Sequence, residues 1–255
     1  MIWRMKTVLD CVRRWAEGEP FRPFTLRLED GRAIPVTRLA HIAAQFPAII
    51  IALSLHEFGH AAMATKMGDP TPRLQGRLTI NPLAHLDPMG TLFILMTLVA
   101  GFGFGWGKPV QTNPAYYTNY RQGRILVAIA GPMMNLMQAM FAVGVGYLLF
   151  MGHVGLSAFV HLFLQWFILI NIVLMLFNLF PVPPLDGGHV AEMLLPWHLR
   201  DQFRRLAPMG LLIVLGLLFF TPLFQLIFGG FIAGMAWLLQ LGFGTEFVNY
   251  LFAAH

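Results

Sequence analysis

The chain has 255 residues, of which 57% are hydrophobic and only 11% charged, whereas a soluble domain carries about 45–50% apolar and about 25% charged residues. This excludes a water-soluble globular fold and a disordered chain, and indicates a polytopic membrane protein. The single cysteine, Cys11, excludes a disulfide framework, a cysteine zinc site and a C-x-x-C redox pair. The formal charge of +5 reads as the Lys/Arg excess of cytoplasmic loops and not as a nucleic-acid surface, because the basic residues are scattered among apolar segments.

Residues 1–38 differ from the rest, holding eight of the 17 Lys/Arg and five of the 12 Asp/Glu. The stretch is too charged to cross a bilayer. It lacks the apolar core of a signal peptide. Val8 to Glu17 fits a short amphipathic helix. Phe24, Leu26 and Leu28 alternate with polar residues, Asp30-Gly31 follows, then Ile34 and Val36, which is the pattern of a β-hairpin with a D-G turn. From about Ala40 the chain becomes apolar. Ala40 to Ala64 predicts a helix. Lys66 to Pro88 is polar and turn-rich. Thr91 to Trp106 is apolar but short and rich in glycine. Ile125 to Phe150 and Leu156 to Phe180 are full-length spans, Pro181 to Arg205 is a loop, and Met209 to Phe228 and Phe231 to Leu251 are two further spans. The expectation is an all-α polytopic membrane protein with about five to six membrane segments, one of them re-entrant. It divides into an N-terminal basic extension, 1–38, with its small β-hairpin, and a membrane-embedded domain, 39–255.

Ionisable groups inside a membrane helix are costly and mark functional sites. His56-Glu57-Phe58-Gly59-His60 places three in one turn. Residues four apart on a helix lie about 40° apart, so both imidazoles share a face and can bind one zinc ion. Glu57 beside them is placed to take a proton from a water on that metal. The bland alternative, two buried histidines packing between helices, leaves Glu57 a buried charge with no visible basic partner. A catalytic zinc needs a third protein ligand. The residues after His60 offer no further histidine of the G-x-x-H type. Asp186, in Leu185-Asp186-Gly187-Gly188, and His85 and Asp87, in Asn81-Pro-Leu-Ala-His-Leu-Asp-Pro88, are the candidates.

Three motifs together, H-E-F-G-H at 56–60, G-P-M-M-N at 131–135 and N-L-F-P-V-P-P-L-D-G-G at 178–188, resemble the site-2 protease family of intramembrane zinc metalloproteases. The stretches R-L-T-I-N-P-L-A-H-L-D-P-M-G and G-W-G-K-P-V are similar to its compact branch without PDZ or CBS domains. The resemblance spans roughly residues 40–228 and leaves residues 1–38 outside. It implies one Zn²⁺ per chain, held by His56, His60 and Asp186, with Glu57 as general base. It places the family's two asparagines on Asn135 and Asn178; Asn178 is a candidate donor to the oxyanion. The implied activity is hydrolysis of peptide bonds within transmembrane segments of single-span membrane proteins, with the lipid bilayer as the other partner and the cell membrane as the location. An extended substrate could pair with a strand drawn from residues 70–82. The rival is a non-proteolytic protein that binds or transports a divalent metal, which has no use for Glu57.

Topology follows from direction. The two histidines lie in the C-terminal half of the first helix, and Asp186 lies just past the end of the span 156–180, so these two helices run parallel. The span 125–150 runs opposite, and residues 66–122 must start and finish on one side. Thr91 to Trp106 is therefore read as re-entrant. Asn171, seven residues before Asn178, reads as a helix–helix hydrogen-bonding group. His189 reads as incidental or as a neighbour of the site.

Overall fold

The computed structural model describes residues 24–27, 33–36, 38–100, 105–220 and 223–252. Two four-residue strands, β1 (Phe24–Arg27) and β2 (Ala33–Val36), pair antiparallel with Phe24 opposite Val36. The expected amphipathic helix at 8–17 and the turn at Asp30-Gly31 lie outside the described residues. From Arg38 onward the regular elements among the described residues are all helical. Short helical turns aside, they begin with α1 (Arg38–Lys66), α2 (Pro88–Ala100), α3 (Tyr120–Met151) and α4 (Ala158–Asn178). Then come α5 (Asp186–Leu194), α6 (Trp197–Arg204), α7 (Ala207–Phe220), α8 (Leu223–Phe243) and α9 (Thr245–Phe252).

Among the described residues, three helices are long and apolar enough to cross a membrane: Leu39–Lys66, Tyr120–Met151 and Phe159–Asn178. They form the core. Lipid tails are as apolar as leucine, so membrane helices associate by close packing and interhelical hydrogen bonds. Ala44, Ala48 and Ala52, four residues apart on α1, are wholly buried. Gly59 marks a close α1–α3 approach: a Cβ there would stand 2.7 Å from the Ala130 carbonyl oxygen. This explains the small residue inside the H-E-F-G-H motif. Trp166 Nε1 donates to His41 Nδ1 at 3.0 Å, joining the N-terminal parts of α4 and α1. Asn135 Nδ2 donates to Ala52 O at 3.3 Å, and His60 Nδ1 to Val127 O at 2.7 Å. So α1 and α4 run parallel, and α3 runs against both.

The segment between α1 and α3 comes back to its origin. Thr118 N–H donates to Met67 O at 2.9 Å, and Asn113 N–H donates to the Asp69 carboxylate at 2.6 Å. After α2 the chain folds back on that helix: Gly105 packs on Ile94, Gly90 packs on Trp106, and the Trp106 ring stacks on Phe93 at 5.3 Å. Residues 70–82 give no strand among the described residues. Thr71–Leu74 is a helical turn, and Pro82–Ala84 opens a 3₁₀ turn capped by the Asn81 side chain.

The last part of the chain breaks at other places than hydropathy indicates. Helix α8 stops at Phe243, Gly244 adopts a φ of +85°, and α9 starts at once. Glu246 sits exposed in the first turn of α9, while Phe247, Val248 and Leu251 are buried. Gln165 Nε2 of α4 donates to Leu251 O at 3.0 Å. An apolar count cannot see such a break, because it depends on one glycine taking a left-handed conformation.

Candidate metal centre

Helix α3 is the frame on which the site is built. His60 donates its Nδ1–H to Val127 O at 2.7 Å. His56 Nδ1 lies 2.6 Å from Asn135 Oδ1. The polarity of this second bond is fixed by a chain of amides. Asn171 Nδ2 donates to Phe167 O, a carbonyl that can only accept. Asn171 Oδ1 therefore accepts from Asn135 Nδ2, at 2.8 Å, which leaves Asn135 Oδ1 to accept from His56. Asn135 and Asn171 are both wholly buried. In each histidine the proton is thus on Nδ1 and the lone pair on Nε2, the arrangement by which outer hydrogen bonds orient metal-binding imidazoles.

Asp186 opens α5 and meets the two imidazoles from the other side. Its Oδ2 lies 3.2 Å from His56 Nε2 and 3.3 Å from His60 Nε2, and the two Nε2 atoms are 3.1 Å apart. Three lone-pair atoms with no proton between them face one another, and Asp186 Oδ2 is buried without a hydrogen-bond donor. Such a cluster repels itself unless a cation sits among its members. Ligands about 2.0–2.2 Å from a tetrahedral zinc stand about 3.3–3.6 Å from one another, close to these separations. The donor set therefore fits zinc. Gly131 makes the room: a Cβ there would fall 2.3 Å from His60 Nε2 and 2.7 Å from His56 Cε1.

Glu57, half-buried and adjacent to His56, accepts the Val110 N–H at 2.8 Å on its Oε2. Val110 belongs to the returning segment. That segment is stitched down by Lys108 N–H to His85 O at 2.8 Å, and by the buried Arg77 guanidinium, which donates to Ala84 O and Lys108 O. His85 and Asp87 do not join the group of three. His85 is buried, which pulls its imidazole below the ordinary value, and its Nε2 donates to Thr79 O. Asp87 Oδ1 accepts the Gly90 N–H at the start of α2. Asn178 ends α4, with its Nδ2 donating to Leu174 O at 3.0 Å. Arg124 Nη2 donates to His189 Nδ1 at 3.2 Å; burial and then Arg124 hold that imidazole below its ordinary range, leaving Nδ1 to accept.

Sequence reasoning missed Val127, whose contribution is a backbone carbonyl, and Val110, whose contribution is a backbone N–H. Neither has a side-chain signature. Gly131 had one, since it opens the G-P-M-M-N motif four residues before Asn135.

The family model described as Peptidase family M50 matches residues 152–221, the stretch that carries Asp186. The YwhC protein of Bacillus subtilis (strain 168), which carries a zinc metalloprotease name, is 41% identical over 181 residues, covering 69% of this chain and 79% of its own. Rip2 of Mycobacterium tuberculosis (strain H37Rv), named likewise, is 37% identical over 197 residues, covering 75% of this chain and 71% of its own. Rip2 of Mycolicibacterium smegmatis is 31% identical over 184 residues, covering 68% and 65%. No solved structure matches. With its H-E-x-x-H helix, its aspartate facing both histidines and these relatives, the chain belongs to peptidase family M50, the site-2 protease family of membrane zinc metalloproteases.

Proposed function

We propose that this protein is an intramembrane endopeptidase of the cell membrane, multi-pass, which hydrolyses peptide bonds within transmembrane segments of single-span proteins. The catalytic domain is residues 39–255, and residues 1–38 are a separate extension. One zinc per chain is held by His56, His60 and Asp186. The observation that carries this reading is the orphaned Asp186 Oδ2 facing two imidazole lone pairs, with Glu57 alongside.

Zinc, when bound, supplies Lewis acidity that acidifies water and withdraws charge from the scissile carbonyl. The chain supplies the rest. Glu57 takes the proton of the attacking water and hands it to the leaving amide nitrogen. Val110 N–H holds one carboxylate oxygen, and the other is the one that takes the proton. Asn178 is the candidate oxyanion donor; one N–H of its Nδ2 is given to Leu174 O, and the second N–H is the one that would serve there. A substrate helix must open its own hydrogen bonds before attack, so helix-breaking residues belong near the cut. The test is reconstitution in lipid vesicles with tagged single-span proteins, followed by mass mapping of the products. Cuts inside the apolar segment that stop when a chelator strips the metal support the reading. A protein that retains zinc and cuts none of a broad panel, or cuts only outside the bilayer, overturns it.

Within this reading α2 and the returning segment form a re-entrant element lining a water-filled cavity, the setting in which irregular backbone is tolerated at membrane depth. It is supported by the Asp69–Asn113 and Met67–Thr118 contacts. Arg73 and Ala115 are exposed and flank those contacts. Arg73→Cys and Ala115→Cys, each in a Cys11→Ser background, are expected to react with a membrane-impermeant thiol reagent from the same side. Labelling from opposite sides would show a true crossing.

A further inference from the structure

We propose that Arg124 and Glu192 are positioning residues for the metal centre: their ion pair, buried on the Glu192 side, docks α5 onto α3 and thereby sets the place of Asp186. The proposal rests on the zinc reading above. Glu192 lies six residues beyond Asp186 on the nine-residue helix α5 and is 3% exposed. Both its carboxylate oxygens are engaged, Oε2 by Arg124 Nη2 at 3.0 Å and Oε1 by Arg204 Nε at 2.8 Å. Arg124 also donates to His189, three residues after Asp186, so it grips α5 at two points.

An ion pair with a buried carboxylate is a poor device for stability, because desolvation of that carboxylate offsets much of the attraction and apolar side chains fill the same space as well. What it adds is direction. Arg124 lies on the face of α3 that continues through Val127, Gly131 and Asn135, with spacings of three, four and four that bring all four onto one stripe. That stripe orients His60, makes room for both imidazoles and orients His56. Through Arg124 it also holds the helix that presents the third ligand. A 20° turn of α5 would move a carboxylate about 5 Å from the helix axis by roughly 2 Å. Metal ligands tolerate about 0.2 Å.

The experiment measures zinc affinity of the purified full chain by chelator competition, with the thermal midpoint of the metal-free protein read in parallel. Glu192→Gln and Arg124→Met are expected to weaken zinc binding about 10- to 100-fold. Arg124→Lys, which keeps a charge for the carboxylate, should recover part of the loss. Gln165→Leu removes the bond to Leu251 at the far end of the bundle and should leave zinc affinity unchanged at a comparable change in midpoint. If a single variant fails to fold, Arg124→Leu/Glu192→Met replaces the pair with apolar volume and should fold with weakened zinc. Zinc affinity within twofold of the parent in the pair variants, while Asp186→Asn loses zinc, overturns this proposal alone. Full affinity in Asp186→Asn overturns the metal reading and this proposal with it.

Discussion

Glu57→Gln is expected to keep one zinc per chain and to lose about 10²- to 10⁴-fold in turnover, the range that a positioned general base contributes. The amide can still accept the Val110 N–H with its oxygen, so the local geometry of α1 and the returning segment survives. It removes no ligand, since the converging donor atoms belong to His56, His60 and Asp186. What it removes is the ability to take a proton at neutral pH. Elemental analysis of the purified variant, beside cleavage of a tagged single-span protein, separates the two effects. Turnover close to that of the parent would assign the proton transfer to another group.

Gly131→Ala is expected to cost zinc although Gly131 offers no ligand atom. The new methyl would lie 2.3 Å from His60 Nε2, 2.6 Å from His60 Cε1 and 2.7 Å from His56 Cε1. No side chain tolerates such distances, so the imidazoles must turn away. Turning breaks the bonds to Val127 O and Asn135 Oδ1 that aim the Nε2 lone pairs. A loss of about 10- to 100-fold in metal affinity follows, as for other disrupted outer-shell contacts. Helix propensity works the other way, since alanine favours a helix interior over glycine by about 0.8–1 kcal/mol. Helical content by circular dichroism, read beside the zinc content, separates this loss from unfolding and should hold. Gly144→Ala on the same helix is the control, because a Cβ there meets nothing within 4 Å. A Gly131→Ala protein with a full zinc complement would show that the two imidazoles do not occupy these positions.

The parts of this protein that are legible in the sequence are those written in side-chain chemistry and local periodicity. Composition alone excludes a soluble fold, because 57% hydrophobic residues cannot be hidden in a 255-residue globule. The H-E-x-x-H spacing puts two imidazoles on one helix face by helix geometry alone. The direction argument about Asp186 needs only the order of motifs, and the parallel run of α1 and α4 agrees with it. The return of residues 67–119 to their starting point follows from the same argument and is seen in the Asp69–Asn113 contact.

Residue type and spacing left three candidates for the third ligand, the resemblance implied Asp186, and the tertiary structure brings Asp186 to the histidines. Asp186, His85 and Asp87 all carry ligand atoms at loop positions, and packing separates them: His85 turns to Thr79 O and Asp87 to Gly90 N–H, while Asp186 faces both Nε2 atoms. The tautomers of His56 and His60 depend on acceptors 79 and 67 residues away in sequence. The groups that steady Glu57 and His60 are a backbone N–H and a backbone carbonyl, which every residue type carries alike. The break at Gly244 and the docking of α9 came from burial of Phe247, Val248 and Leu251, a long-range contact that an apolar run from 231 to 251 conceals. Local physics settled which residues could bind a metal. Only the fold settled which of them meet, because meeting depends on helices distant in the chain approaching through alanine and glycine at their contact faces.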